Sequence, residues 1–141
     1  NNDDQFPQLF QGGREMPITI VVDMKESLIV HSIGWTQRQN SDYQDTKKVE
    51  YYVSDYEQFK LGGKEDYSPV ALNNWTFVME RSYQKGYNAT QWQTQSEEVL
   101  QKKVKGHLLK VKIVEGYRDR LASGAELYVK QLLAIDGEPI K

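Results

Sequence analysis

The sequence predicts an all-β domain, built as an antiparallel sandwich or barrel. Short apolar runs rich in Ile, Val, Tyr and Trp are separated by clusters of Gly, Asn, Asp, Ser and Pro, which is the pattern of strands joined by turns. No regular alternation of strand and helix patterns is present, and this disfavours a parallel α/β fold. At 141 residues, the chain has the size of a single domain, so one domain is predicted over residues 1–141.

Seven segments are predicted as strands. The clearest is 107–114, where Leu109, Val111 and Ile113 alternate with Lys110 and Lys112, so that one face meets the core and the other meets water. The predicted strands are residues 18–24, 28–37, 48–54, 75–80, 99–104, 107–114 and 127–135.

The segment 96–106 also fits a short helix. Ser96 is a suitable N-cap, and Glu97 and Glu98 would lie in the first turn. Because Gly106 limits such a helix to about two turns, and a clear strand follows directly, a strand over residues 99–104 is the preferred prediction.

Two tryptophans are predicted to lie in the core. Trp35 continues an alternation with Ile33 toward one face of its strand, and Trp75 shares a face with Phe77 and Met79. These positions therefore predict structure rather than ligand binding.

Composition and motifs exclude several function classes. The net charge of −2 provides no basic surface for nucleic acid, and no apolar run approaches the ~20 residues that insert in a membrane. The absence of cysteine removes disulfides and thiolate chemistry. His31 and His107 have no partner at metal-binding spacing and are interpreted as strand residues. No nucleophile or phosphate-binding motif is present, so an enzyme is disfavoured.

A group of polar and aromatic residues predicts sugar binding instead. Residues 55–74 and 81–96 are connections longer than the ~12–15 residues beyond which unstructured connections are uncommon and often functional. Sugars are recognised by flat aromatic rings, with Arg, Asn and Gln bonding the hydroxyl groups. The candidate ligand-binding residues are Arg38, Gln39, Asn40 and Tyr43 after one strand, and Tyr87 and Trp92 in the second connection. The alternatives are that Arg38 pairs with a nearby acid and that Trp92 caps the end of the sandwich.

The order of six motifs resembles a known family. PITIVVDM, IVHSIGWTQRQN, KKVEYYVSD, NNWTFV, KGHLLKVKIVEG and SGAELYV follow one another between residues 17 and 129. In this order the chain resembles a coagulation factor 5/8 type C domain, or discoidin domain, and most of all the bacterial carbohydrate-binding modules of family 32. The resemblance implies a jelly-roll sandwich of about eight strands, with a shallow galactose-binding-like site on the loops at one end.

The resemblance also implies a biological setting. Such modules have no catalytic residues and are appended to secreted glycoside hydrolases, which they hold near a glycan. The chain would then be part of a longer multidomain bacterial protein that is secreted, periplasmic or on the cell surface, with a tethered catalytic domain.

The family's site residues carry over only in part. Arg38 matches an arginine that contacts the sugar, but Tyr43-Gln44 and Phe6-Pro7 stand where an asparagine and a tryptophan–histidine pair are usual. The expected ligand is therefore galactose-type or another hexose. The alternative is a structural or protein-interaction sandwich in which the sugar site has degenerated.

The resemblance further implies a structural calcium ion. Glu126 matches a family position whose carboxylate helps to hold calcium, which takes six to eight oxygen ligands. Asn2, Asp3 and Asp4 could belong to the acidic loop that supplies the others. An ordinary surface carboxylate is the alternative for Glu126.

Overall fold

The computed structural model describes residues 3–15, 17–37, 45–55, 75–86, 90–117, 121–135 and 138–139, with side chains from residue 17 onward except 121–125, 135 and 138. Nine strands and one short helix lie in these ranges. The strands are β1 (Asp3–Glu15), β2 (Ile18–Thr36), β3 (Thr46–Ser54), β4 (Thr76–Ser82), β5 (Gln91–Thr94), β6 (Lys105–Gly116), β7 (Leu121–Gln131), β8 (Ala134–Ile135) and β9 (Glu138–Pro139), and the helix is α1 (Glu97–Gln101). In the described part of the chain, no helix is long and apolar enough to cross a membrane.

The predicted all-β antiparallel sandwich is confirmed. The main sheet has seven strands in the order β1-β7-β2-β6-β3-β4, with β5 also paired to β2, and β8 and β9 form a separate pair. The main sheet thus has slightly fewer strands than the eight that the resemblance implied.

The long strand β2 joins the two halves of the sandwich. Its residues 18–29 pair with β6, whereas residues 30–36 pair with β7, and residues 32–35 also pair with β5. Between Asp23 and Leu28 the register shifts, Lys25 adopts a positive φ of 74°, and Asp23 accepts a hydrogen bond from the Lys25 backbone at 2.8 Å. A bulge bends a strand, so the two strands predicted over 18–24 and 28–37 form one bent strand.

The core lies between these two halves. Ile33, Trp35 and Leu127 from one half are fully buried with Tyr51 and Val111 from the other half. Trp35 also stacks on Tyr83, with ring centroids 5.7 Å apart. The core position predicted for Trp35 is therefore confirmed.

The core position predicted for Trp75 is wrong. Trp75 is half-buried and Phe77 is 52% exposed, whereas Val78 and Met79 are buried. The pairing of β4 with β3 shifts between Phe77 and Met79, so that Val78 is an extra residue. Such a bulge breaks the two-residue alternation on which the prediction rested.

The strand predicted over 99–104 is also wrong, because residues 97–101 form α1. The Ser96 hydroxyl accepts a hydrogen bond from the Val99 backbone at 3.3 Å, and the Leu100 backbone donates to the Ser96 carbonyl at 3.0 Å. Capping by Ser96 supplies a partner for an otherwise orphan N–H group. Local capping thus outweighs the apolar pattern, and β6 begins only at Lys105.

Three strands were not predicted: β1, β5 and the two-residue β9, which pairs with β8. β1 contains Pro7 and pairs only with β7, through two register shifts; proline is tolerated in such edge strands. β5 lies inside the connection 81–96 that was predicted to be long and irregular, and it pairs with β2 from Ser32 to Trp35. Its sequence, Gln-Trp-Gln-Thr, carries no apolar alternation, so its pairing depends on the available edge of β2.

Candidate functional site

Buried Gln37 holds together the bases of two connections at one end of the sandwich. Its amide oxygen accepts from Trp35 Nε1 at 3.2 Å and from the Thr46 backbone at 3.1 Å, while Nε2 donates to the carbonyls of Thr46 at 2.7 Å and Gln84 at 3.0 Å. Both ends of the connection 38–44 and the start of the connection after β4 are thereby fixed. The predicted site residue Arg38 follows Gln37 directly in the sequence and lies outside the described residues.

A second group of hydrogen bonds fixes the same end of the molecule. Asp45 Oδ2 accepts from the Gly86 backbone at 2.9 Å, and the Asp45 carbonyl accepts from the Tyr117 backbone at 3.2 Å. The Tyr117 hydroxyl donates to the Tyr83 carbonyl. These bonds hold the ends of the connections 38–44, 83–90 and 118–120 next to one another. A binding site formed by loops needs such a fixed support.

Trp92 is the exposed aromatic residue beside these connections. It lies on β5 opposite Gly34 of β2 and is 39% exposed. A Cβ atom at Gly34 would stand 2.9 Å from Trp92 Cε2 and Cζ2 and from Thr90 Cγ2, closer than carbon atoms normally approach. The absence of a side chain at Gly34 is therefore what allows the indole to approach the Gly34 backbone so closely.

Three side chains of β7 complete the surface around Trp92. Tyr128 packs against the indole with centroids 5.9 Å apart, and Lys130 Nζ lies over the ring at 4.3 Å. The Tyr128 hydroxyl donates to Glu126 Oε2. We call Trp92, Glu126, Tyr128 and Lys130 the Trp92 surface; it combines an apolar ring with charges of both signs.

Two buried phenols lie beneath this end of the sandwich. The Tyr51 and Tyr83 hydroxyls are 2.8 Å apart in the core. Burial raises the pKa of both phenols above the ordinary value, because the phenolate would lose its hydration. Both hydroxyls are therefore neutral and hydrogen-bonded at neutral pH, so they contribute to the platform rather than to acid–base chemistry.

The structure tests the predicted binding residues unevenly. Trp92 is exposed, but it lies in β5 rather than in an irregular connection, and its binding role stays a prediction. It neighbours the base of the connection that begins at Arg38, because Thr36 Oγ1 and Thr90 Oγ1 are hydrogen-bonded at 2.7 Å. Arg38, Gln39, Asn40, Tyr43 and Tyr87 lie outside the described residues, and their roles stay predictions.

Several residues of this site are absent from the predicted set. Tyr128 and Lys130 follow Glu126 at intervals of two residues, so the period of a strand would have placed all three on one face. Gly34 within an otherwise apolar strand is a signal of close approach by a neighbouring group. The role of Gln37 had no comparable signal, because two of its three partner residues, Thr46 and Gln84, come from other segments of the chain.

The calcium site predicted at Glu126 stays a prediction. Among the described residues, no group of three or more His, Asp or Glu side chains could hold a metal ion, and the Glu126 carboxylate already accepts from Tyr128. Asp3 and Asp4 lie in β1 opposite Lys130 and Val129, whereas Glu126 lies opposite Pro7. Three to four positions along a strand amount to about 10–13 Å, so the described residues do not by themselves form a calcium cage.

Neither histidine is part of a metal site in the described region. His31 Nδ1 lies 3.2 Å from Ser32 Oγ, and His107 Nδ1 lies 3.8 Å from Asp23 Oδ1. Both belong to strands, as the sequence predicted.

Comparison with solved structures identifies similar folds. A family 32 carbohydrate-binding module of CpGH89 from Clostridium perfringens, solved with GalNAc-β-1,3-galactose, is 19% identical with a TM-score of 0.60, over 83% of this chain and 68% of the other. The family 32 module of C. perfringens NanJ, solved with galactose, is 20% identical with a TM-score of 0.57, over 82% and 68%. The C-terminal domain of a chitobiase from Bacteroides fragilis is 16% identical with a TM-score of 0.59, over 84% and 66%.

Sequence comparison adds no closer relative, since neither a protein-family model nor a curated protein matches this chain. The resemblance seen in the order of the motifs is nevertheless matched by the structural similarity. This chain has the discoidin-like β-sandwich fold of the family 32 carbohydrate-binding modules.

Proposed function

We propose that this protein is a non-catalytic glycan-binding module whose site lies at the end of the sandwich that bears Arg38 and Trp92. The observation that carries the proposal is the exposed Trp92, whose indole packs against Gly34 beside the base of the connection that begins at Arg38. The same fold holds galactose-containing sugars in two of the similar structures.

The Trp92 surface has the chemistry that a hexose needs. A sugar ring presents C–H groups on one face, which pack against an aromatic ring, and hydroxyl groups at its edge, which need hydrogen-bond partners when water leaves. Trp92 supplies the ring, and Lys130, whose ammonium already lies over it, can turn to donate to a hydroxyl group. Arg38 and Asn40 would supply further donors and acceptors from the adjoining connection.

A site of this kind binds weakly. A shallow surface with one aromatic ring and a few polar groups is expected to bind a monosaccharide with a Kd near ~1 mM, or ~4 kcal/mol. Weak modules become effective when they are tethered. We therefore extend the proposal to a secreted or cell-surface bacterial protein in which this domain holds a glycoside hydrolase close to its glycan.

A calorimetric titration with galactose and GalNAc-β-1,3-galactose tests the proposal. Arg38→Ala and Trp92→Ala are each expected to weaken binding by about tenfold or more, since each removes a main contact. Phe77→Ala is the matched control, because Phe77 is an exposed aromatic residue of β4, a strand that does not pair with β5 or β7. Unchanged affinity in both site variants, or an equal loss in Phe77→Ala, would place the site elsewhere.

The structural or protein-interaction alternative makes a different prediction for Trp92. A degenerate site should bury this ring in the sandwich, as a cap over the core. At 39% exposure the ring is far more open than the buried Trp35, and this supports the glycan-binding proposal.

A further inference from the structure

Tyr117 lies at the end of the sandwich where the ends of the connections 38–44, 83–90 and 118–120 are held together. Its backbone N–H donates to the Asp45 carbonyl at 3.2 Å, and its hydroxyl donates to the Tyr83 carbonyl. Asp45 directly follows the connection that begins at Arg38. The half-buried Tyr117 is therefore fixed at its backbone and at its hydroxyl, next to the end of that connection.

Two lysines place their ammonium groups over the Tyr117 ring. Lys47 Nζ lies 5.7 Å and Lys85 Nζ lies 5.8 Å from the ring centroid, and both lysines are exposed. Neither ammonium forms an ion pair with a described residue. We call Lys47, Lys85 and Tyr117 the Tyr117 cluster; it brings two positive charges to one ring.

The described carboxylates nearest to this cluster in the sequence have other partners. Asp45 is buried and its Oδ2 accepts from the Gly86 backbone at 2.9 Å, while Glu115 interacts with Lys48 at 3.9 Å. Two like charges near one ring repel each other, and attraction to an aromatic ring is weak at exposed sites. An anion that contacts both ammonium groups would therefore be attracted to the cluster, although the whole chain has a net charge of −2.

We propose that the Tyr117 cluster binds the carboxylate of an acidic sugar, so that the glycan recognised by this protein contains a hexuronic acid. Lys47 and Lys85 donate charge-assisted hydrogen bonds to the carboxylate oxygens. Both ammonium groups end flexible side chains and already lie near the same ring, so they can converge on one anion. This inference rests on the proposed function, because it specifies the chemical class of glycan for the site beside Arg38.

Two matched disaccharides test this proposal. α-1,4-Galactobiose and α-1,4-digalacturonic acid differ only at C6, where a carboxylate replaces the hydroxymethyl group of each sugar. Calorimetric titrations at about 50 mM NaCl are expected to show about tenfold or tighter binding of digalacturonate than of galactobiose. This advantage should shrink at about 500 mM NaCl, because salt screens exposed charges.

The double variant Lys47→Gln/Lys85→Gln is the informative one, and Lys102→Gln/Lys103→Gln is its control. All four lysines are exposed, and each variant removes two positive charges. Lys102 and Lys103 precede β6 whereas Tyr117 follows it, which separates them by roughly 35–40 Å along the strand. The first variant is expected to lower the ratio of digalacturonate to galactobiose affinity at least about fivefold, and the control should leave this ratio unchanged.

The outcomes separate this inference from the proposed function. Equal affinities of the two disaccharides, or equal effects of the two double variants, would overturn the inference alone, because galactobiose binding that depends on Trp92 would still support the proposed function. No binding of either disaccharide at about 20 mM would overturn both.

Discussion

Gly34 shows how one residue determines the shape of the Trp92 surface. Gly34→Ala would place a methyl group 2.9 Å from the indole and from Thr90, so the ring must lift or the strands must separate. We expect a loss of about 1–3 kcal/mol in the free energy of unfolding, measured by urea denaturation. The loss should shrink when Trp92→Ala is also present, because the methyl group then gains space. The same loss in both backgrounds would show that Gly34 acts through the backbone alone.

Some residue roles could be predicted from sequence, and others could not. The core position of Trp35 follows from strand alternation alone, and this reasoning succeeded because residues 32–36 are regular. The same reasoning failed at Trp75 and Phe77, because Val78 is an extra residue in β4. This bulge shifts the alternation of inward and outward side chains by one position. Bulges leave no sequence signal comparable to alternation.

The side-chain amide of Gln37 connects secondary-structure elements. It links the end of β2 to the start of β3 and to the segment after β4. Gln37→Ala leaves buried backbone groups of Thr46 without these partners, so we expect a loss of about 2–4 kcal/mol in the free energy of unfolding. Glycan binding should weaken in parallel, because the connection that bears Arg38 loses its anchor. Gln84→Ala is the control, since Gln84 is exposed and meets Gln37 only through its carbonyl. Equal losses in the two variants would contradict this role.

At the same scale, the elements that escaped prediction depend on tertiary pairing or on capping. β5 forms because it pairs with residues 32–35 of β2. Its four residues are mostly polar, so the sequence alone does not indicate this pairing. α1 was recognised as possible from Ser96, but the balance between cap and strand propensity could not be decided from one sequence. The long apolar strands β2, β3 and β6, by contrast, lie close to their predicted positions.

Considering the whole molecule, the buried Tyr51–Tyr83 pair predicts how stability depends on pH. Both phenols have a pKa raised above 10.0 in the folded state by burial, whereas unfolded tyrosine titrates near 10. The folded state therefore holds these protons more tightly, so their contribution is complete below about pH 10 and is lost as the pH rises above it. The urea midpoint should fall above pH 10, and fall less in Tyr51→Phe/Tyr83→Phe. Equal slopes in the two proteins would show that other groups cause the loss.

Glycan binding beside Trp92 can be measured most directly through the three tryptophans of the chain. Trp92 is exposed, Trp75 is half-buried beside β4, and Trp35 is fully buried. Their indole N–H signals should be followed by NMR during titration with GalNAc-β-1,3-galactose. Glycan binding at the proposed site predicts saturable shifts of the Trp92 signal, with little change at Trp75 and Trp35. Shifts confined to Trp75, or no shift at Trp92 well above ~1 mM glycan, would contradict the claim.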